Sequence, residues 1–70
     1  MELYWEEQFT VSVTIQDNTT VISANRAGLH SLAHHLLQLA EEPQGSHIHL
    51  DSYNALEDGS AELILEKAGE

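Results

Sequence analysis

The sequence has no cysteine, one proline, one tryptophan and only two cationic side chains, Arg26 and Lys67. Without cysteine there is neither a disulfide framework nor a thiolate site, a composition that fits a reducing compartment. Set against twelve acidic residues, the two cations leave a formal net charge of −10. Such a field repels the phosphates of nucleic acid and the anionic lipids of a membrane surface, so direct binding to either is not expected. It attracts a basic protein partner and speeds that association at low salt, and it also confers solubility by itself. Long apolar runs are missing too: the N-terminal MELYWEEQ is acidic and reads as neither a signal peptide nor a membrane span, which makes a cytoplasmic protein the expectation.

What is present is enough to fold. The apolar content of 41% is ordinary for a globular protein and too high for a disordered acidic tail. The 70 residues make one domain, 1–70, with no linker, repeat or low-complexity tract to divide it. A chain this short buries only about 60% of the surface that its unfolded form exposes, and a homodimer would relieve that small margin.

The chain is organised around Asn25 to Glu42, where Leu29, Leu32, Ala33, Leu36, Leu39 and Ala40 recur at the spacing of an amphipathic helix. Asn25 is a suitable N-cap, and Pro43 and Gly45 stop the helix. Gly28 in the first turn costs up to about 1 kcal/mol relative to alanine, which points to a close approach between helix and sheet. Glu41 and Glu42 sit where the macrodipole favours cations.

Alternation marks the strands. Phe9, Val11, Val13 and Ile15 alternate with Thr10, Ser12, Thr14 and Gln16. Asp17-Asn18 suits a tight hairpin turn, after which Thr19 to Ser23 returns antiparallel. A two-residue loop sets Gln16 opposite Thr19 and Val13 opposite Ile22, with Ile22 on the core face; a three-residue loop reverses the faces. Ser46 to Asp51 forms a third strand, with Ile48 and Leu50 inward and His47 and His49 outward. Tyr53 to Gly59 is a loop, and Ala61 to Lys67 is a fourth strand with Leu63 and Leu65 inward and Glu62, Ile64 and Glu66 outward. The expected fold is α+β, ββαββ: a four-stranded sheet with the long first strand central and one helix packed on one face.

Histidine supplies the most suggestive chemistry. His47, His49 and Asp51 on one strand face, beside Glu62 and Glu66, are donors of the type that zinc accepts. A flat sheet splays its side chains, however, so exposed cross-strand His–Glu pairs are the expected arrangement, with no metal or other cofactor. His30 and His34 lie four apart on the helix, but His30-Ser31-Leu32-Ala33-His34 lacks the catalytic glutamate of the zinc-protease motif, and the pair reads as a solvated stripe continued by Gln38. No glycine elbow surrounds a serine and no phosphate-cradling loop precedes the helix, so enzyme activity is not expected. The outer sheet face, with Tyr4 and Trp5 at its margin, has the composition of a protein-binding surface; alternatively Trp5 packs over an open end of the core.

The runs SANRAGLHSLAHHLLQLA (Ser23 to Ala40), GSHIHLD (Gly45 to Asp51) and LEDGSAELILEK (Leu56 to Lys67) resemble the small bacterial immunity proteins of the immunity protein 32 family. The resemblance implies a cytoplasmic antidote in a polymorphic-toxin system, one that binds a cognate toxin and blocks it. It supplies no catalytic residues. If that toxin is a basic nuclease, carboxylates can stand where phosphates would. The candidate contact residues are His47, His49, Asp51, Glu62 and Glu66 on the sheet face, with Glu41, Glu42, Glu57 and Asp58 adding charge at the loops. A second class is a small dimeric metal- or pH-responsive module built on the histidines; a third is a structural subunit of a larger complex.

Overall fold

The computed structural model describes residues 2–69. In chain order it contains β1 (Val11–Gln16), β2 (Thr19–Ala24), α1 (Arg26–Ala40), β3 (His47–Leu50) and β4 (Leu63–Glu66). The class is α+β and the element order is the expected ββαββ.

Asp17 and Asn18 both take positive φ, 48° and 66°, as a two-residue turn of the type I′ kind requires. The register follows from that loop length: Gln16 faces Thr19, Val13 faces Ile22 and Val11 faces Ala24. Ile22 therefore shares the face of Val13, but it stays 42% exposed. Burial along β1 ends after Val13, so the far half of the hairpin, Ile15 included, projects beyond the core.

The four strands do not form the single sheet expected. β1 pairs with β2 and β3 with β4, each antiparallel, in two separate two-stranded sheets. The cause lies in the segment before β4. The Glu57 and Ala61 amides donate to the Val11 and Val13 carbonyls, each at 2.8 Å, so this segment covers the second edge of β1. Between those two bonds the chain swings out through Gly59, at φ 84°. The Ser60 hydroxyl, in place of a strand carbonyl, accepts the Val13 amide at 3.2 Å. A side-chain acceptor satisfies the donor without continuing a ladder. β1 is flanked on both edges, but one neighbour is a loop.

The helix begins as expected. Asn25 Oδ1 accepts the Gly28 amide at 2.8 Å, closing the first turn. Gly28 is buried because the helix crosses β1 there. A Cβ at this position would fall onto the Thr10 carbonyl oxygen and come within 3.0 Å of Ala24 Cβ and Val11 Cγ2. At the other end, Lys67 Nζ donates to the Ala40 carbonyl and, at 3.2 Å, to that of Glu42. One of the two cations thus offsets the unfavourable Glu41–Glu42 pair at the negative end of the helix.

The buried stripe of α1 differs from the expected one. It runs Gly28, Ser31, Leu32, His35 and Leu39, whereas Leu29 and Leu36 are 54% and 49% exposed and Ala33 and Ala40 are exposed as well. The N-terminal segment explains this rotation. Its backbone docks on the helix: the Glu6 amide donates to Ser31 Oγ at 2.9 Å, and His35 Nε2–H donates to the Tyr4 carbonyl at 2.8 Å. Polar side chains facing the incoming backbone are required there, since a buried amide or carbonyl without a partner costs about 1–3 kcal/mol.

Trp5 packs within this junction, stacked on Phe9 at a centroid distance of 4.4 Å and edge-on to His35 at 4.4 Å. It serves the core and not the sheet margin. Phe9 belongs to this cluster and precedes β1, held by a Glu6–Phe9 turn. The core is completed by Val11, Val13, Leu32, Leu39, Ile48, Leu50 and Leu56, the last contributed by a loop.

Replacing Gly28 by alanine tests the close crossing. Propensity favours alanine by up to about 1 kcal/mol, yet the crowding against the Thr10 carbonyl should win, lowering stability by about 1–3 kcal/mol in urea denaturation. An unchanged or raised midpoint would show that the helix can move off β1 freely.

Candidate partner-binding face

β3 and β4 alternate as their sequences require, with Ile48 and Leu50 buried and the neighbouring side chains outward. Their register pairs His47 with Glu66 and His49 with Ile64. The outer face therefore gathers His47, His49, Asp51, Glu62 and Glu66, the five sheet-face residues picked from the sequence. Ile64, 59% exposed, lies among them.

One corner of this face is ordered by side-chain bonds. His49 Nε2 lies 2.7 Å from Glu62 Oε2 and 3.8 Å from Asp51 Oδ2. Asp51 Oδ1 accepts the Tyr53 amide at 2.9 Å, which turns its other oxygen toward the imidazole. Asn54 ties the same turn to the strand: its Oδ1 accepts the Asp51 amide and its Nδ2 donates to the His49 carbonyl, both at 2.9 Å. Asn54 was not legible as a positioning residue in the sequence, although an Asp-x-x-Asn turn after a strand is a recognisable Asx pattern. Tyr53, 97% exposed, adds an aromatic ring at the end of this strand.

The donor atoms of His49, Asp51 and Glu62 lie within 4.8 Å of one another. Their chemistry suits a divalent cation, but in this arrangement the imidazole is engaged by Glu62 as a cross-strand hydrogen-bonded pair, and the face is open to solvent. The loop carboxylates are dispersed. Glu42 lines a shallow depression together with His47, which links the helix end to the sheet face. Glu41 caps α1, and Glu57 and Asp58 belong to the segment beside β1. His30, with Nδ1 3.3 Å from Glu6 Oε2, and His34 are exposed on the helix, where they line a separate depression with Leu37.

The exposure of the His49–Glu62 pair sets its energetic scale. A double-mutant cycle with His49→Ala and Glu62→Ala should give a coupling of about 0.2–1 kcal/mol at neutral pH. A coupling of several kcal/mol would mean that the corner holds the fold together and is not free to meet a partner.

Among the described residues no helix is long and apolar enough to cross a membrane. Neither a curated protein nor a solved structure matches the chain. The family model described as immunity protein 32 does match, over residues 19–68, a span that takes in β2, α1, the histidine strand β3 and β4. The match covers well over half of the sequence, and on it the chain belongs to the immunity protein 32 family.

Proposed function

We propose that this chain is the antidote of a bacterial polymorphic-toxin pair, which binds its cognate toxin in the cytoplasm and occludes the toxin's active site or substrate groove without catalysis of its own. Family membership supports a toxin as the partner. The observation that carries the choice of surface is the outer face of β3 and β4, where Glu62, Glu66, Asp51, His47 and His49 surround the exposed Ile64. An apolar centre rimmed by charge is the anatomy of a transient protein interface. Tyr53 beside it is an aromatic group of the kind that becomes a contact hot spot.

The charge selects the chemistry of the partner. A net charge of −10 steers a basic surface toward the chain. A nuclease groove lined to hold phosphate is such a surface, and the carboxylates of this face occupy it as phosphate mimics, with Glu41, Glu42, Glu57 and Asp58 extending the field. The same charge keeps the chain itself off nucleic acid.

Expression of the neighbouring gene product alone and with this chain tests the class: relief of toxicity together with co-purification is the expected outcome, and toxicity unrelieved by the chain would reject it. Charge reversal at Glu62→Lys and Glu66→Lys tests the face. Association should slow by about tenfold or more at low salt and by much less at high salt. Equal rates at both salt concentrations would remove this face from the interaction while leaving the class intact. The competing metal-responsive reading rests on the His49, Asp51 and Glu62 donors, and saturable heat on zinc titration, lost in His49→Ala, would favour it.

A further inference from the structure

β2 is an edge strand with nothing that guards it. Its sequence, Thr19-Thr20-Val21-Ile22-Ser23-Ala24, holds no charge, no proline and no glycine, and five of its six residues are exposed, Val21 by 46% and Ile22 by 42%. Natural edges are usually blunted by charge, proline or a bulge, because an open edge is a template for another strand. The edge lies within the run from Asn18 to Ala40, the long stretch of this acidic chain that holds no carboxylate.

The direction of its free hydrogen-bonding groups follows from the other side of the hairpin. Val11 and Val13 use their carbonyls to accept the Glu57 and Ala61 amides, so these two residues point away from β2. Ser12, Thr14 and Gln16 therefore bond across to Ser23, Val21 and Thr19, and the backbone groups of Thr20, Ile22 and Ala24 point outward from the open edge. Three alternate residues with outward N–H and C=O form half of an antiparallel ladder.

From this edge we infer that the chain self-associates through β2, two copies pairing antiparallel about a two-fold axis at Ile22. In that register Thr20 meets Ala24 of the second copy and Ile22 meets its own counterpart, which continues each hairpin into a four-stranded sheet and covers Ile22. The register is self-complementary in charge. Asp17 at the hairpin tip comes alongside the second copy's Arg26, the first residue of α1 just past the end of β2, and the symmetry makes the contact twice. Arg26 is exposed and forms no ion pair among the described residues, although it is one of only two cations in an acidic chain. Charge also disfavours the other occupants. A basic partner is drawn to the carboxylate faces and not to an uncharged strand, whereas a second copy carrying the same net charge meets least repulsion along such a strand.

Sedimentation equilibrium from about 10 μM to about 1 mM, at about 0.15 M salt, where the net charges are screened beyond roughly 8 Å, should show a monomer–dimer equilibrium. Thr20→Pro removes an outward amide and leaves the ladder to β1 intact, so it should weaken dimerisation at least about tenfold. Asp17→Asn keeps the turn and lowers the net negative charge. General repulsion alone predicts tighter association for it, whereas the Asp17–Arg26 contact predicts about threefold to tenfold weaker association. Because the chain has no cysteine, Ile22→Cys reports the axis directly: it should cross-link on mild oxidation at least about tenfold faster than Tyr53→Cys, since Cα atoms in such a pair lie about 5.5 Å apart. A monomer throughout, tighter association of Asp17→Asn, or equal cross-linking of the two cysteine variants would overturn the proposal, as would a dimer indifferent to Thr20→Pro. If Thr20→Pro does not fold, the cysteine comparison decides. A chain that relieves toxicity as a monomer would overturn the dimer and leave toxin binding standing.

Discussion

Asn25 makes the junction on which this fold depends. Its Oδ1 accepts the Gly28 amide, which caps α1, and also the Thr10 amide at 3.0 Å, which leads into β1. Its Nδ2 donates to the Gln8 carbonyl at 2.9 Å, and its backbone amide donates to the Thr10 carbonyl. One side chain thus fixes the N-terminal segment, the start of the first strand and the start of the helix relative to one another. Those bonds bring the first turn of α1 onto Thr10 and Val11 so closely that only a glycine fits at position 28. The close crossing in turn sets the helix phase, which directs Ser31 and His35 toward the docked backbone of Tyr4 and Glu6. The positions of Trp5 and Phe9 follow, because the docked segment carries them.

The elements were legible in the sequence where a local rule decides them. The type I′ turn at Asp17-Asn18 determines a register, and the register determines which face each β1 and β2 residue takes; the helix cap and its stop are equally local. The packing was less legible where a side chain answers a backbone group far away in sequence. A hydropathy pattern ranks Leu29 and Leu36 above Ser31 and His35, because it cannot register that the Tyr4 carbonyl and the Glu6 amide need partners inside. The single four-stranded sheet failed for a related reason. The alternation of β4 does not reveal that Ser60 will satisfy Val13 with a hydroxyl and leave the ladder unformed. Leu56 sits in the core although it lies in a stretch rich in turn residues, since the Asp51 carbonyl accepts its amide at 2.9 Å and folds the loop inward.

The outer face of β3 and β4 was legible for the opposite reason. With period-two alternation and one face buried by Ile48 and Leu50, His47 and His49 have nowhere else to point, and antiparallel pairing brings Glu62, Ile64 and Glu66 beside them. What alternation could not supply is the order within the face. The Asn54 side chain pins the turn to the Asp51 amide and the His49 carbonyl, and the Tyr53 amide donates to the Asp51 carboxylate, so that carboxylate is oriented before any partner arrives. Preorganisation of this kind lowers the entropy cost of binding.

Charge is distributed unevenly over these surfaces, and the unevenness is itself an argument about function. Carboxylates used only for solubility would be placed without regard to the strands. Here the outer face of β3 and β4 is bordered by them and the segment after the helix carries two, whereas β1, β2 and α1 carry none. Because Coulomb repulsion between like surfaces and attraction between unlike ones act at the encounter stage, such a layout sorts approaching molecules before contact. On the proposed function a basic protein is steered to the histidine–carboxylate face, and in the proposed dimer a copy of the chain meets the neutral strand. No residue of β2 is buried, so its open edge can serve the second role without cost to the first. The two proposed contacts then share no residue among the 70 of the sequence.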